Sequence, residues 1–230
     1  MKNLSLPQLN PFNWALIAAI VLLSLFDFIW LGETDTYASI AAIAGVICVV
    51  LSAKGHILCY LFGLIEVSLY VLISWKTHFW GEVMLNGLYF LPMQFVGFYN
   101  WSKNIGSESL VKARNLTNAQ KLLLLIASIA LIILYGFLLE VIDGNIPYLD
   151  ATTTVLSVVA MLLMVRAFVE QWWLWIVIDV FTVIKWIIAL SAQEPNAAIM
   201  VAMWSIFLIN SVYGYFNWRK LRMTWIVIND

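Results

Sequence analysis

Long apolar runs separated by short polar segments dominate the pattern along this chain. A helix needs about 20 mostly apolar residues to cross a bilayer, and eight runs approach or reach that length. They predict spans at 13–31, 36–53, 56–75, 79–101, 120–140, 149–167, 171–191 and 197–218. Because several intervening segments are only a few residues long, consecutive helices are expected to be antiparallel neighbours. Pro92 lies inside the fourth run, where its missing N–H should kink the helix.

Composition supports an all-α integral membrane protein. Hydrophobic residues make up 63% of the 230 residues and charged residues 11%, whereas about a quarter of the residues of a soluble domain are charged. The net charge of −1 and the lack of a basic patch outside the loops argue against a nucleic-acid partner. The first apolar run has no small-residue cleavage site after it, so we expect a retained helix.

Motifs of enzymes and metal sites are missing from the sequence. It contains no P-loop, no HExxH, no CxxC and no GxSxG, so we predict no enzymatic activity, no cofactor and no metal site. The two histidines, His56 and His78, fall at predicted helix ends, where simple solvation is expected.

Basic residues between the predicted spans fall on one side of the membrane. If the spans alternate in direction, the other side receives only Lys76, and Lys185 lies within the seventh span. The first side receives Lys2, Lys54, Lys103, Lys112, Arg114, Lys121, Arg166, Arg219, Lys220 and Arg222. Because loops rich in Lys and Arg stay in the cytoplasm, both termini are predicted to be cytoplasmic.

A short aromatic segment, which we call the tag, occurs twice. It reads GFYNW at 97–101 and GYFNW at 214–218, each time at the end of a predicted span. Other landmarks align at similar offsets: Lys54 with Arg166, Glu66 with Asp179, and Gly97 with Gly214. They predict two copies of a three-helix unit, which run in the same direction because one helix separates them. The tag glycines are expected to allow close packing, and the tag aromatics to lie at the membrane interface.

The duplication defines the predicted domain organisation. It consists of an N-terminal helix (1–35), a first three-helix repeat (36–101), a cytoplasmic loop with a linker helix (102–147), a second three-helix repeat (148–218) and a cytoplasmic tail (219–230). Parallel repeats are one common plan of secondary transporters, whose substrate binds near the middle of the membrane.

The seventh span carries the strongest candidate site. In WWLWIVIDVFTVIKWIIAL, residues 172–190, a single helical face is predicted to hold Trp175, Asp179, Thr182 and Trp186, with Trp172 near its edge. Indoles supply stacking surface and the polar groups supply hydrogen-bond partners, which suits a ligand with a flat ring and several hydroxyls.

A purely structural role is the alternative for this face. The tryptophans would then pack against other helices, and Asp179 would pair with Lys185. The two residues are about 120° apart around the helix, however, which makes a direct pair poor.

Further candidates lie on the third, fourth and eighth spans. They are Glu66, Asn86, Phe90, Gln94 and Asn210. Amides both donate and accept hydrogen bonds, which suits a neutral polyhydroxylated group. Hydrogen bonds that hold the helix bundle together are the alternative role for each amide and for Glu66.

Three segments carry a resemblance to a known family. WGEVMLNGLYFLPMQFVGFYNW, WWLWIVIDVFTVIKW and the ending NSVYGYFNW resemble the Pnu family of bacterial vitamin transporters, over about 36–220. The resemblance implies a 3+1+3 helix arrangement like that of the SWEET proteins, with an extra N-terminal helix. It also implies a homotrimer in the bacterial inner membrane that carries nicotinamide riboside, a vitamin B3 form used for NAD biosynthesis, by facilitated diffusion with alternating access.

Specific residues follow from the same resemblance. The family's WxxW signature falls on Trp172 and Trp175, and the implied ligand-facing polar positions are Asp179, Asn86, Gln94 and Asn210. Thiamine or riboflavin as substrate, or a membrane receptor that binds a vitamin without moving it, remain alternatives. Nicotinamide mononucleotide fits less well, because a phosphate would need an inward arginine and only Lys185 is expected to be buried.

Overall fold

The computed structural model describes residues 8–26, 36–76, 78, 80–105, 110–141, 147–193 and 197–229. These residues form eight helices: α1 (Pro11–Phe26), α2 (Thr36–Ala53), α3 (Cys59–Lys76), α4 (80–104), α5 (Asn118–Val141), α6 (Pro147–Val165), α7 (Gln171–Ser191) and α8 (Ala197–Asn229). Each helix overlaps one predicted span. The end of the first predicted span, 27–31, lies outside the described residues.

Four of the helices are long and apolar enough to cross a membrane: α3, α5, α6 and α7. Two shorter apolar helical stretches, Pro11–Leu25 and Ser39–Ala53, belong to α1 and α2. The all-α membrane class is therefore confirmed, whereas the count of eight spans stays a prediction.

The chain forms two compact units. The first contains Met1–Ala113, Val165–Ala167 and Phe216–Asp230, and therefore α1 to α4 and the end of α8. The second contains Arg114–Met164 and Phe168–Tyr215, and therefore α5, α7, nearly all of α6 and most of α8.

In the first unit, α2 ends in a tight turn around Gly55. The φ of Gly55 is +71°, and the next N–H, of His56, donates to the Leu51 carbonyl at 2.9 Å. This is the Schellman end of a helix, which favours glycine because a Cβ is strained at positive φ. The Gly55 carbonyl accepts from Val111 N–H at 2.8 Å. His56 is fully buried, and Leu58 N–H donates to its Nδ1. The expectation of a solvated ring is therefore wrong.

Helix α6 ends in the same way around Ala167. Its φ is +59°, and Phe168 N–H donates to the Leu163 carbonyl at 2.9 Å. The following N–H, of Val169, donates to the Arg114 carbonyl at 2.9 Å. Ala167 thus takes a backbone conformation that costs an L-residue about 1–2 kcal/mol, at the position that Gly55 occupies after α2.

Helix α4 changes its winding in the middle. An α-helical turn (Trp80–Met84) is followed by a π-helical segment (Leu85–Phe90) and then by an α-helix (Leu91–Asn104). Leu91 N–H donates to the Asn86 carbonyl, five residues earlier. Pro92, which has no N–H, directly follows this wide turn. A π-helical segment therefore lies on the N-terminal side of Pro92, and the kink at Pro92 stays a prediction.

The two tag tryptophans belong to the core of the first unit. Trp101 and Trp218 are 1% and 0% exposed. Trp218 Nε1 donates to the Ser52 carbonyl at 2.9 Å, and the Tyr60 ring meets Trp101 edge-on at 4.9 Å. The expectation that the tag aromatics lie at the membrane interface is thus wrong for these two residues. Their indoles fill the core, and the carbonyl of Ser52 satisfies the Trp218 N–H.

Candidate substrate site

Asp179 forms the central polar contact of the second unit. It lies in α7 with 3% of its surface exposed. Ser211 of α8, 5% exposed, donates its hydroxyl to Asp179 Oδ2 at 2.7 Å. No hydrogen bond from the described residues reaches the other carboxyl oxygen, Oδ1. Buried polar groups normally have partners, so this half-satisfied carboxyl is the first candidate ligand contact.

The two tryptophans of the WxxW signature differ in their surroundings. Trp172 is buried, and its ring lies flat against Gly214: a Cβ there would be 2.6 Å from Cη2 of the indole. Trp175 is half-buried and packs on an apolar cluster of α6 and α7 formed by Leu156, Ala160 and Ile178. Trp172 therefore fixes the approach of α8 to α7, and Trp175 retains open ring surface.

The remaining residues of the predicted α7 face are half-buried. Thr182 donates its hydroxyl to the Ile178 carbonyl at 2.8 Å, so its oxygen remains available only as an acceptor. Trp186 lies one turn further along the helix.

Lys185 is directed away from Asp179. Its ammonium pairs with Asp150 Oδ1 of α6 at 3.0 Å, and its side chain is 46% exposed. The alternative pairing of Lys185 with Asp179 is therefore wrong. The cause is local, because Asp150 in the first turn of α6 offers a carboxylate at the same level.

In the first unit, the side chain of Gln94 packs against Gly63. The Gln94 side chain is 7% exposed, and its Oε1 has no hydrogen-bond partner among the described residues. A Cβ at Gly63 of α3 would be 2.5 Å from that oxygen and 3.1 Å from the Cys48 Sγ. The glycine thus admits the Gln94 amide against α3. Glu66 is half-buried on α3, one turn after Gly63.

Asn86 and Phe90 lie in the π-helical segment of α4. Asn86 is buried and donates from Nδ2 to the Glu82 carbonyl at 2.9 Å and to Glu82 Oε2 at 3.0 Å. Its amide N–H groups are therefore used within its own helix. The half-buried Phe90 ring meets its neighbour Tyr89 at a centroid distance of 5.3 Å.

Two features were missed by sequence reasoning. Asn210 is buried in α8, but its neighbour Ser211 makes the contact with Asp179. A serine in an apolar span usually bonds to its own helix, so Ser211 was not among the candidate site residues. The signal for Gly63 was a glycine inside a helix, which costs about 1 kcal/mol relative to alanine and calls for a packing reason.

Known proteins resemble the chain over most of its length. Residues 35–220 match the family model described as nicotinamide mononucleotide transporter. The chain is 42% identical over 189 residues to the nicotinamide riboside transporter PnuC of Neisseria mucosa, covering 80% of this chain and 72% of that protein. It is 33% identical over 216 residues to the protein of the same name from Haemophilus influenzae, covering 92% and 91%. A crystal structure of the vitamin B3 transporter PnuC matches with a TM-score of 0.79 and 37% identity over 94% of both chains.

The helical fold and these similarities define a multi-pass bacterial membrane transporter and not an enzyme. The chain belongs to the nicotinamide mononucleotide transporter family. The resemblance that the three sequence segments carry is thereby confirmed.

Proposed function

We propose that this protein carries nicotinamide riboside across the bacterial inner membrane by facilitated diffusion, and so supplies a vitamin B3 form for NAD biosynthesis. The observation that carries the proposal is Asp179, a buried carboxyl with one oxygen unbonded within the described residues, on a helix rich in tryptophan. Nicotinamide riboside is a pyridinium cation attached to a ribose. The relatives that bear its name at 42% and 33% identity support this choice of substrate.

Each part of the ligand has matching side chains on α7. The open ring surface of Trp175, with Trp186 further along the face, suits the flat cationic ring, because an indole attracts a cation over its face. Asp179 complements the positive charge, and Thr182 offers an acceptor to a ribose hydroxyl. Trp172 supports the site through its packing on Gly214.

Five further residues are proposed ligand contacts. They are Glu66, Asn86, Phe90, Gln94 and Asn210. Gln94 is supported by its buried Oε1, which accepts no hydrogen bond from the described residues. A ribose hydroxyl or the carboxamide N–H of the ligand would be a suitable donor.

The riboside fits the charged groups better than the mononucleotide does. Acidic side chains such as Asp179 and Glu66 suit a riboside cation better than a phosphate dianion. The charge of Lys185 is already balanced by Asp150 at the exposed end of α7.

Two parallel three-helix repeats, α2–α4 and α6–α8, are proposed as the moving parts of an alternating-access cycle. Two duplicated contacts support the repeat. The first helix of each copy ends in the same turn, at Gly55 and at Ala167. An aromatic ring of the second helix covers a glycine of the third in both: Tyr60 on Gly97, and Trp172 on Gly214. Cytoplasmic termini and a homotrimer complete the proposal.

Uptake of labelled nicotinamide riboside into proteoliposomes tests the function. We expect uptake that saturates with substrate and stops when the internal and external concentrations are equal. Excess unlabelled riboside should compete, and nicotinamide mononucleotide, thiamine and riboflavin should compete poorly. Liposomes without protein are the control. Stronger competition by thiamine, or concentrative uptake driven by a proton or sodium gradient, would overturn the substrate or the passive mechanism, respectively.

A further inference from the structure

We propose that Ser211 is a positioning residue that makes the site selective for a cationic ring over a neutral one. It does so by holding Oδ2 of Asp179 and leaving Oδ1 to the ligand. This inference rests on the proposed transport of nicotinamide riboside and adds the residue that determines its charge selectivity.

Ser211 and Asp179 are joined by a direct side-chain hydrogen bond between α8 and α7. Ser211 Oγ lies 2.7 Å from Asp179 Oδ2, a usual length for a hydroxyl that donates to a carboxylate. The serine hydroxyl is the donor and the carboxyl oxygen is the acceptor. Ser211 therefore fixes the orientation of the Asp179 carboxyl group.

Other hydroxyls of the second unit are used differently. Ser205, six residues earlier on α8, donates to the Val201 carbonyl at 2.7 Å, and Thr182 donates to the Ile178 carbonyl. Both bonds stay within one helix, which is the common use of a helical hydroxyl. Ser211 instead bonds from α8 to α7. Its bond thus serves a particular side chain, and Ser205 provides a matched control on the same helix.

The unbonded oxygen identifies the chemistry of the ligand. Asp179 is only 3% exposed. No hydrogen bond from the described residues reaches its Oδ1. A cation next to this oxygen would be attracted to the carboxyl group. A neutral ring of the same shape would gain far less from it.

Two substrates that differ mainly in ring charge test the inference. Nicotinamide riboside is a cation, and its 1,4-dihydro form is neutral with the same ribose and carboxamide. In proteoliposomes we expect Ser211→Ala to raise the KM for the cation about tenfold, the effect of losing about 1.4 kcal/mol of a charge-assisted contact. The KM for the dihydro form should change less than twofold. Ser205→Ala should leave both KM values unchanged.

A double-mutant cycle assigns the effect to Asp179. Asp179→Asn should abolish the preference for the cation, and adding Ser211→Ala should cause no further loss, because coupled residues are not additive. Ser211→Thr keeps the donor and should retain the preference. If Ser211→Ala does not fold, Ser211→Cys, with a weak donor of similar size, replaces it.

The outcomes separate this inference from the proposed function. Wild-type protein that does not take up the riboside overturns the function itself. Wild-type uptake, together with a Ser211→Ala variant that loses both substrates equally or adds fully to Asp179→Asn, overturns only the role of Ser211.

Discussion

Trp101 and Trp218, which close the two copies of the tag, lie with their ring centroids 5.5 Å apart and their planes inclined by 54°. The contact belongs to the first unit, where Trp218 also donates to the Ser52 carbonyl. The ends of two segments that are 117 residues apart in the chain thus meet in one core.

The Trp218 hydrogen bond should contribute measurably to stability. Trp218→Phe keeps a ring but removes the N–H donated to Ser52, and we expect a loss of about 1–3 kcal/mol from the missing donor and the smaller side chain. Thermal unfolding in detergent measures the effect. Phe216→Leu, at an exposed position two residues away, is the control and should change the midpoint little. Equal midpoints for both variants would contradict the role of the indole.

The two helix-ending turns predict a pair of substitutions with opposite effects. Ala167→Gly should stabilise the protein by about 0.5–1 kcal/mol, because Ala167 holds a positive φ that glycine adopts without strain. Gly55→Ala should destabilise by about 1–3 kcal/mol, since it adds the same strain and places a Cβ 3.0 Å from Leu221 Cδ1.

Unfolding midpoints of the two turn variants, measured side by side in the same detergent, test this pair. A change of the same sign in both would show that the two turns are not equivalent.

The ring-on-glycine contacts predict that Gly97→Ala and Gly214→Ala both destabilise. A methyl group would overlap the Tyr60 ring at Gly97 and the Trp172 ring at Gly214. Overpacking of this kind costs about 1–3 kcal/mol, more than the helix propensity gained. The yield of monodisperse protein and its unfolding midpoint measure the effect. In the background Tyr60→Leu, Gly97→Ala should cost clearly less, and an undiminished cost would refute the steric explanation.

Sequence reasoning located the helices well because apolar length and short connections determine them. Every described helix overlaps its predicted span, and α7 begins and ends as expected at 171 and 191. It failed for residues whose burial or hydrogen bonding depends on partners that are distant in sequence. Nothing local distinguishes the buried Trp218 from an interfacial tryptophan, since its acceptor, Ser52, lies 166 residues earlier. His56 likewise follows a helix end but is buried by the rest of the fold.

Asp179→Asn and Trp175→Ala test the ligand side of the proposed site. The first removes the charge that attracts a cationic ring, and the second removes the stacking surface. We expect each to weaken riboside binding about tenfold or more. Isothermal titration of purified protein measures the affinity, with monodispersity and unfolding midpoint as controls for folding. Lys185→Ala, at the exposed Asp150 pair, should bind normally. Unchanged affinity in both site variants would move the site elsewhere.

Gly63→Ala should weaken substrate binding through Gln94. Its Cβ would displace the Gln94 amide, which lies 2.5 Å from that position, so we expect the riboside KM to rise about tenfold, as for a lost hydrogen bond in a buried site. Gly87→Ala is the matched control, because among the described residues a Cβ there meets only Val71, at 3.8 Å. Gln94→Met should imitate Gly63→Ala. Normal KM values for both variants would assign the Gln94 oxygen a purely structural role.

The candidate site was only partly predictable for a physical reason. Helical periodicity identifies which residues of α7 share a face, and it correctly separated Asp179 from Lys185. It cannot show which atoms are already bonded. The Asn86 amide is used by Glu82 within α4, whereas Gln94 Oε1 has no partner among the described residues. That difference depends on rotamers and on the glycine of a neighbouring helix.

The wide turn at Leu85–Phe90 also has an evolutionary consequence. A π-helical turn holds more residues than an α-helical one, so it absorbs an insertion while the helix remains continuous. Loss of one residue from this segment would return it to α-helical winding and leave Gln94 facing Gly63. Single-residue insertions and deletions can therefore enter α4 here without changing which of its faces meets α3, which makes this segment a natural point of length variation within such a family.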